Sequence, residues 1–332
     1  MSEAKDLDFI FQKFQGLRVL IVGDVMVDNY IIGKVERVSP EAPVPVVDVE
    51  TLDSRLGGAG NVALNIKAMG AIPIMCSVIG NDKEGFELKK LLEEQGLYSK
   101  AILTSDKRKT TTKTRILGNN HQLLRIDHEI KSDLDTLDSF LLEEHFNREI
   151  ENADVVIFED YNKGVLHKGN IEKFIAKANS LNIPSIVDPK KNNFLLYSNT
   201  TLFKPNLKEI KEGLNVEFST NEIDEIKDAV KVLEAKLSNK STMVTLSERG
   251  VLISENGNFH QIPAHIRKIA DVSGAGDTVV SVAALCLAIG VNSLLMAELS
   301  NLAGGLVCEK RGVAPIEKEV LLEEAKRLIT VS

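Results

Sequence analysis

The segment Asp271–Val279 reads DVSGAGDTV, placing the small residues Gly274, Ala275 and Gly276 directly before a long apolar run. A helix beginning there leaves amide groups without intrahelical partners in its first turn. Such amides, with the helix dipole, attract an anion such as a transferring phosphoryl group, and Asp277 stands in the same turn, placed to take a hydroxyl proton. A plainer reading makes GAG a helix-start turn and Asp277 an N-terminal acid favoured by the dipole. The residues alone leave both open.

Other polar groups fall where chemistry is expected. Asp24 and Asp28, in GDVMVD, follow the apolar run Val19–Val22, and the carboxyl end of a parallel strand is where open α/β sheets hold ligands; paired carboxylates there suit sugar hydroxyls. In GGAGNVALN, Gly57 and Gly58 allow close backbone approach, and Asn61 offers an amide donor and acceptor at a helix start. A rival reading takes Gly58, Gly60 and Ala63 as G-x-G-x-x-A, with Asp82 about 20 residues on, as in a dinucleotide fingerprint. Against it, the polar stretch Thr51–Leu56 separates these glycines from the apolar Val44–Val49. Asn206 and Glu209 in KPNLKE have the spacing of a helix cap and its third-position partner, and TLSERG, with Ser247 and Gly250, reads as a turn after a strand.

The elements that must position these groups are legible from periodicity. Short β-rich runs at Val19–Val22, Ile74–Ile79, Val155–Phe158, Ser185–Val187 and Met243–Leu246 alternate with helical segments, which predicts a doubly wound, mostly parallel sheet with helices on both faces. The stretches 30–51 and 110–127 break that pattern and are expected to form a small β lid, with a turn near Gly118–Asn120. Helices are expected at Gly276–Ile289, apolar almost all round, and at Leu294–Glu309. No Gly/Ser/Pro-rich linker divides the 332 residues, so one domain is expected over 1–332. The exposed edges of the lid suggest a homodimer.

A net charge of −8 argues against a general nucleic-acid binder. Three scattered cysteines indicate neither a disulfide framework nor a metal or redox motif, and a reducing cytoplasm is the simple expectation. The longest apolar stretch, Val279–Val291, is too short to span a bilayer. Neither G-x-x-x-x-G-K-[ST] nor HExxH occurs.

GGAGNVALN and GAGD, in this order along the chain, resemble the first and the C-terminal signatures of the ribokinase-like (PfkB) carbohydrate kinases. The resemblance implies ATP and Mg²⁺ as cofactors and Asp277 as the base, with Gly274, Ala275 and Gly276 as the anion hole. It implies Asp24, Asp28, Gly57, Gly58 and Asn61 on the sugar, and Asn206 and Glu209 organising magnesium and phosphates. Ser247 and Gly250 would lie by the nucleotide and Asn301, in SNLAGGL, by adenine. Asp271 and Ser273 match positions beside which the family often binds K⁺. VSPEAPVPVV, TKTRILGNNHQLLRID, EDYNKG and VDPK narrow the resemblance to the kinase half of bacterial ADP-heptose synthases, which phosphorylate a heptose 7-phosphate. That implies Arg115, Asp160 and Lys163, with Arg125, on the phosphorylated sugar. Those relatives carry a nucleotidyltransferase domain; this sequence has no HxGH motif, so adenylylation is expected on a separate polypeptide. A sensor that has lost the chemistry is the reading from a different class, and the GAGD segment speaks against it.

Overall fold

Strands covered on both faces are apolar without alternation, and this chain's sheet is built from such runs. In the computed structural model, which describes residues 7–119, 121–310 and 312–329, the chain begins with α1 (Leu7–Lys13), β1 (Arg18–Gly23), β2 (Val25–Val38), β3 (Pro45–Gly58), α2 (Ala59–Ala68), β4 (Ile72–Gly80), α3 (Lys83–Glu94) and β5 (Ile102–Ser105). There follow β6 (Thr111–Gly118), β7 (His121–His128), α4 (Thr136–Ile150), β8 (Val155–Glu159), α5 (Lys168–Ser180), β9 (Ser185–Asp188), β10 (Leu202–Phe203) and α6 (Leu207–Leu214). The remainder is α7 (Ile223–Leu237), β11 (Ser241–Thr245), β12 (Val251–Glu255), β13 (Asn258–Ile262), α8 (Ala275–Ala288), α9 (Ser293–Val307) and α10 (Lys318–Leu328).

Nine strands form the main sheet in the order β13-β12-β11-β10-β9-β8-β1-β4-β5. Pairing is parallel from β5 to β11 and antiparallel for β11-β12-β13. Successive strand residues face opposite layers. Val19 and Ile21 join Met75, Ile157 and the helices α2, α8 and α9, whereas Leu20 and Val22 join Cys76, Phe158, Phe146 and Phe174 under α4 and α5. The chain leaves β1 towards β4 and returns to β8 on its other side, a topological switch point where such sheets open a crevice. Gly23 sits there because no side chain fits: a Cβ would lie 1.9 Å from the Glu159 carbonyl oxygen.

The lid is a separate four-stranded sheet ordered β3-β2-β6-β7. It is longer than the sequence suggested, running from Val25 and back to Gly58, because Val25, Met26 and Val27 are all buried and show no alternation at its root. Register places Asp28 opposite Arg55 and Lys113, and Tyr30 opposite Asp53 and Arg115. These residues share one face. Ile31, Leu52, Ile116 and Leu124 pair across the other. The turn expected at Gly118–Asn120 joins β6 to β7, and Asn120 itself lies outside the described residues.

Because β3 runs unbroken to Gly58, a polar stretch does not after all separate the glycines from a strand. The dinucleotide reading fails for a different reason: β3 pairs antiparallel within the lid, so β3-α2-β4 is not a parallel unit of one sheet. Asp82 is also committed, accepting from the Gly85 and Thr110 amides at 2.8 Å each as it caps α3.

Candidate active site

Asp277 lies in the first turn of α8, a helix enclosed by protein along most of its length. Its carboxylate accepts from Asn61 Nδ2 at 2.7 Å and from the Tyr161 hydroxyl at 2.9 Å, one partner on each oxygen. Burial pushes its pKa above the ordinary aspartate value, with the Asp188 charge adding to the rise and both hydrogen bonds opposing it. That combination suits a base, since the proton is more welcome than on a solvated carboxylate. Gly274 (φ 80°) turns the chain into the helix. The Ala275 amide donates back to Val272, while the Gly274, Gly276 and Asp277 amides have no hydrogen-bond partner among the described residues. An anion would meet those three, with only the Ala275 amide of the Gly274–Asp277 row already engaged.

α2 supplies the support beneath. Asn61 and Asn65 are one turn apart on its inner face; Asn65 donates to the Asn61 carbonyl and accepts from Thr278 and from the Ile316 amide. Asn61 is therefore a positioning residue for Asp277, whatever else it touches. The preceding glycines have an internal cause: a Cβ on Gly57 would lie 2.3 Å from Asp28 Oδ2, and one on Gly58 (φ 58°) 2.5 Å from the Asp24 carbonyl.

Two residues expected on the sugar are corrected. Asp24 is 1% exposed and its carboxylate accepts from the Tyr161, Lys163 and Val165 amides at 2.9, 3.1 and 3.2 Å. Burial and the nearby Asp160 charge push its pKa up to about 6. Asp160 is wholly buried and accepts from the Asn162 amide, Asn193 Nδ2 and the Tyr197 hydroxyl. Both carboxylates are engaged in shaping the 160–165 loop. Asp28 is held by Arg115 Nη1 at 2.6 Å, with the guanidinium over the Tyr30 ring. Lys163 pairs with Glu129 at 2.6 Å, and Arg125 with its neighbour Asp127.

Asn206 and Glu209 form a reciprocal capping box at the start of α6. Glu209 also reaches Lys190 at 2.9 Å. Ser247 (φ 55°) and Gly250 (φ 87°) form the turn between β11 and β12, and a Cβ on Gly250 would lie 2.0 Å from the Ile262 carbonyl. Asn301 on α9 donates to the Pro263 carbonyl at 2.9 Å, fastening the chain after β13. Asp271 accepts from the Ser273 and Gly312 amides; these bonds outweigh burial and hold its pKa below the ordinary value.

Sequence reasoning missed Tyr161, although its motif EDYNKG was noted, and missed the carboxylate cluster beneath it. Oxygens of Glu159, Asp188 and Asp277 lie within 4.8 Å of one another. Asp188 is paired with Lys190 and Lys204 at 3.2 and 3.0 Å, which outweighs its burial and keeps it ionised. Both Glu159 carboxyl oxygens are buried without a hydrogen-bond partner among the described residues, and burial, then the Asp188 and Asp277 charges, push its pKa well up.

Residues 17–319 match the pfkB family carbohydrate kinases. The chain belongs to that family. It is 40% identical over 311 residues to the bifunctional protein HldE of Caulobacter sp. strain K31, covering 93% of this chain and 63% of the relative, so it spans less than two thirds of that curated protein. Among solved structures, phosphofructokinase-2 from Escherichia coli in complex with potassium superposes with a TM-score of 0.78 at 20% identity, over 95% of this chain and 100% of the other. Its tetrameric inhibited form gives 0.77 at 20% identity, over 94% and 100%. The pfkB chain thus has the ribokinase-like fold expected of it. No helix among the described residues is long and apolar enough to cross a membrane.

The proton held by Glu159 fixes the sign of a pH effect. The fold binds this proton more tightly than the unfolded chain, whose glutamate titrates near 4.5, so the group lowers stability progressively as pH rises above that value. Glu159→Gln should therefore be at least as stable as wild type in urea at about pH 8, with an advantage that shrinks towards about pH 5. A variant that loses stability equally at both would show that the residue is not held neutral.

Proposed function

We propose that this pfkB chain transfers the γ-phosphoryl group of ATP to a hydroxyl of a phosphorylated sugar, with Asp277 taking the hydroxyl proton. The observation that carries this reading is a buried carboxylate oriented by Asn61 and Tyr161 beside three amides, those of Gly274, Gly276 and Asp277, that have no partner among the described residues. The acceptor enters between the lid and Asp277; the nucleotide lies towards Asn206, Glu209, Ser247, Gly250 and Asn301. Proton removal makes the acceptor oxygen nucleophilic, and the Gly274, Gly276 and Asp277 amides stabilise charge on the phosphoryl oxygens during in-line transfer.

Mg²⁺ fits the residues present, because Glu159 offers orphaned buried oxygens beside Asp188 and hard oxygen donors suit this ion. Glu159, Asp188 and Glu209 would hold it, and when bound it neutralises phosphate charge. For K⁺, Asp271 and Ser273 are the candidates, supported by the potassium complex of the E. coli structure. The acceptor we favour is D-glycero-D-manno-heptose 7-phosphate at its anomeric hydroxyl, giving the 1,7-bisphosphate for ADP-heptose synthesis; 40% identity to an HldE protein supports it. Because HldE is described as bifunctional, these relatives lend no support to a separate nucleotidyltransferase polypeptide.

ADP release with Mg-ATP should be selective for the heptose 7-phosphate over fructose phosphates, ribose and fructose, and faster in potassium than in sodium buffer. Asp277→Asn should lose about 10² to 10⁴ in rate while keeping the fold. Near-normal turnover by that variant would remove Asp277 from the role of base, and equal rates in the two buffers would remove K⁺.

The outer lid face supports a second proposal, that two copies pair there. Leu52, Leu124 and Ile126 are at least half exposed on that face, Leu52 at 74%, and the E. coli neighbour is described in a tetrameric form. Light scattering should report a dimer that Leu52→Glu dissociates; a monomeric wild type would rule the pairing out.

A further inference from the structure

Three residues between α9 and α10 support the turn that carries Asp277. The Gly312 amide donates to Asp271 Oδ2 at 3.0 Å, just ahead of that turn. The Ile316 amide donates to Asn65 Oδ1 at 3.0 Å; Asn65 in turn donates to the Asn61 carbonyl, and Asn61 to Asp277. Between these two amides, the Val313 side chain stands beside Gly274, where an added Cβ would lie 3.4 Å from Val313 Cγ1. Residues 312–316 belong to no helix or strand. Their placement therefore depends on what grips them from outside.

The grip comes from Arg55, on β3 of the lid. Its Nη1 donates to the Val313 carbonyl at 3.2 Å. Its Nε donates to Asp53 Oδ2 at 2.7 Å, and the guanidinium lies over the Tyr30 ring, 5.1 Å from the centroid. A guanidinium is a rigid planar fork, so a carboxylate on one edge and a ring against its face fix where the remaining donors point. Gly312 has the matching shape: a Cβ there would lie 2.4 Å from Arg55 Nη1, so a side chain is excluded where the guanidinium enters. Arg115 also lies over the Tyr30 ring and holds Asp28, which ties the latch into the inner lid face. The β2-β3 ladder is made by backbone groups and does not need the Arg55 side chain.

We infer that Arg55 is a positioning residue that latches the lid to residues 312–316 and thereby holds Gly274 and the Asn65-Asn61 support of Asp277 in place. The lid then does more than cover the acceptor: its seating is communicated to the base and to the anion-binding turn through one short segment. The latch rests on the contacts of Arg55, Gly312, Val313 and Ile316. Its effect on turnover rests on the kinase reading.

Hydrogen exchange on the full chain without ligand, with ADP release measured in parallel, tests it. Arg55→Met keeps an apolar stem and removes every donor; it should speed exchange about 10-fold in peptides covering 312–317 and 271–278 while leaving β8 as in wild type. With Mg-ATP and heptose 7-phosphate its kcat should fall about 10-fold, by more than any rise in KM for the sugar. Arg55→Lys, which can still donate to the Val313 carbonyl, should recover most of that loss. Gly312→Ala, which displaces the guanidinium, should reproduce the Arg55→Met effects, and combining the two should add little. Thermal melting checks the fold; should Arg55→Met not fold, Gly312→Ala provides the same exchange comparison. Wild-type exchange at 312–317 overturns the latch. Faster exchange there with 271–278 unchanged, or a raised KM with kcat unchanged, overturns the coupling to Asp277. A wild-type chain that releases no ADP with any sugar rejects the kinase reading, and the exchange results still decide the latch.

Discussion

The site depends on holding three acidic side chains together under the first turn of α8. Glu159, Asp188 and Asp277 come from β8, β9 and α8, and their oxygens approach within 4.8 Å. Like charges this close cannot all ionise at ordinary cost. Two lysines satisfy Asp188, a proton on Glu159 removes another charge, and Asn61 and Tyr161 support the third. Asp277 is thus left as the carboxylate with polarised neighbours, raised basicity and adjacent unpaired amides.

The rest of the fold serves this arrangement at two levels. The main sheet ends β1, β8 and β9 side by side, so that the Asp24 carboxylate can bind the loop that carries Tyr161 and Lys163. The lid then covers that loop with a sheet whose two faces differ in chemistry. Asp28, Lys113 and Arg115 face inward, and the row Leu52-Ile31-Ile116-Leu124 faces away. Period-two alternation gives the same strands one charged face and one apolar face.

Much of this was legible beforehand. Long apolar runs marked the parallel strands and α8 because both are enclosed on all sides, and the small residues before Asp277 marked the helix start. What was not legible depends on contacts between distant segments. Asp24 and Asp160 look like ligand-facing acids in the chain, but three backbone amides consume Asp24, and an amide, Asn193 and Tyr197 consume Asp160. Gly57 and Gly58 look like a ligand cradle, yet their missing side chains make room for Asp28 and the Asp24 carbonyl. Tyr161 and Glu159 carried no spacing signal, since their partner Asp277 is more than a hundred residues away. The capping box of Asn206 and Glu209 was readable because its geometry is local.

The central claim, that Asp277 is the base and that the Tyr161 hydroxyl tunes it, is tested most directly by the acid limb of the pH profile of kcat/KM in wild type and Tyr161→Phe. The substitution keeps the Tyr161 amide on Asp24 and removes only the hydroxyl that favours ionised Asp277. The account predicts an acid limb above the ordinary aspartate value of 3.8 in wild type, displaced further upward in the variant. An acid limb at the same pH in both proteins would contradict it.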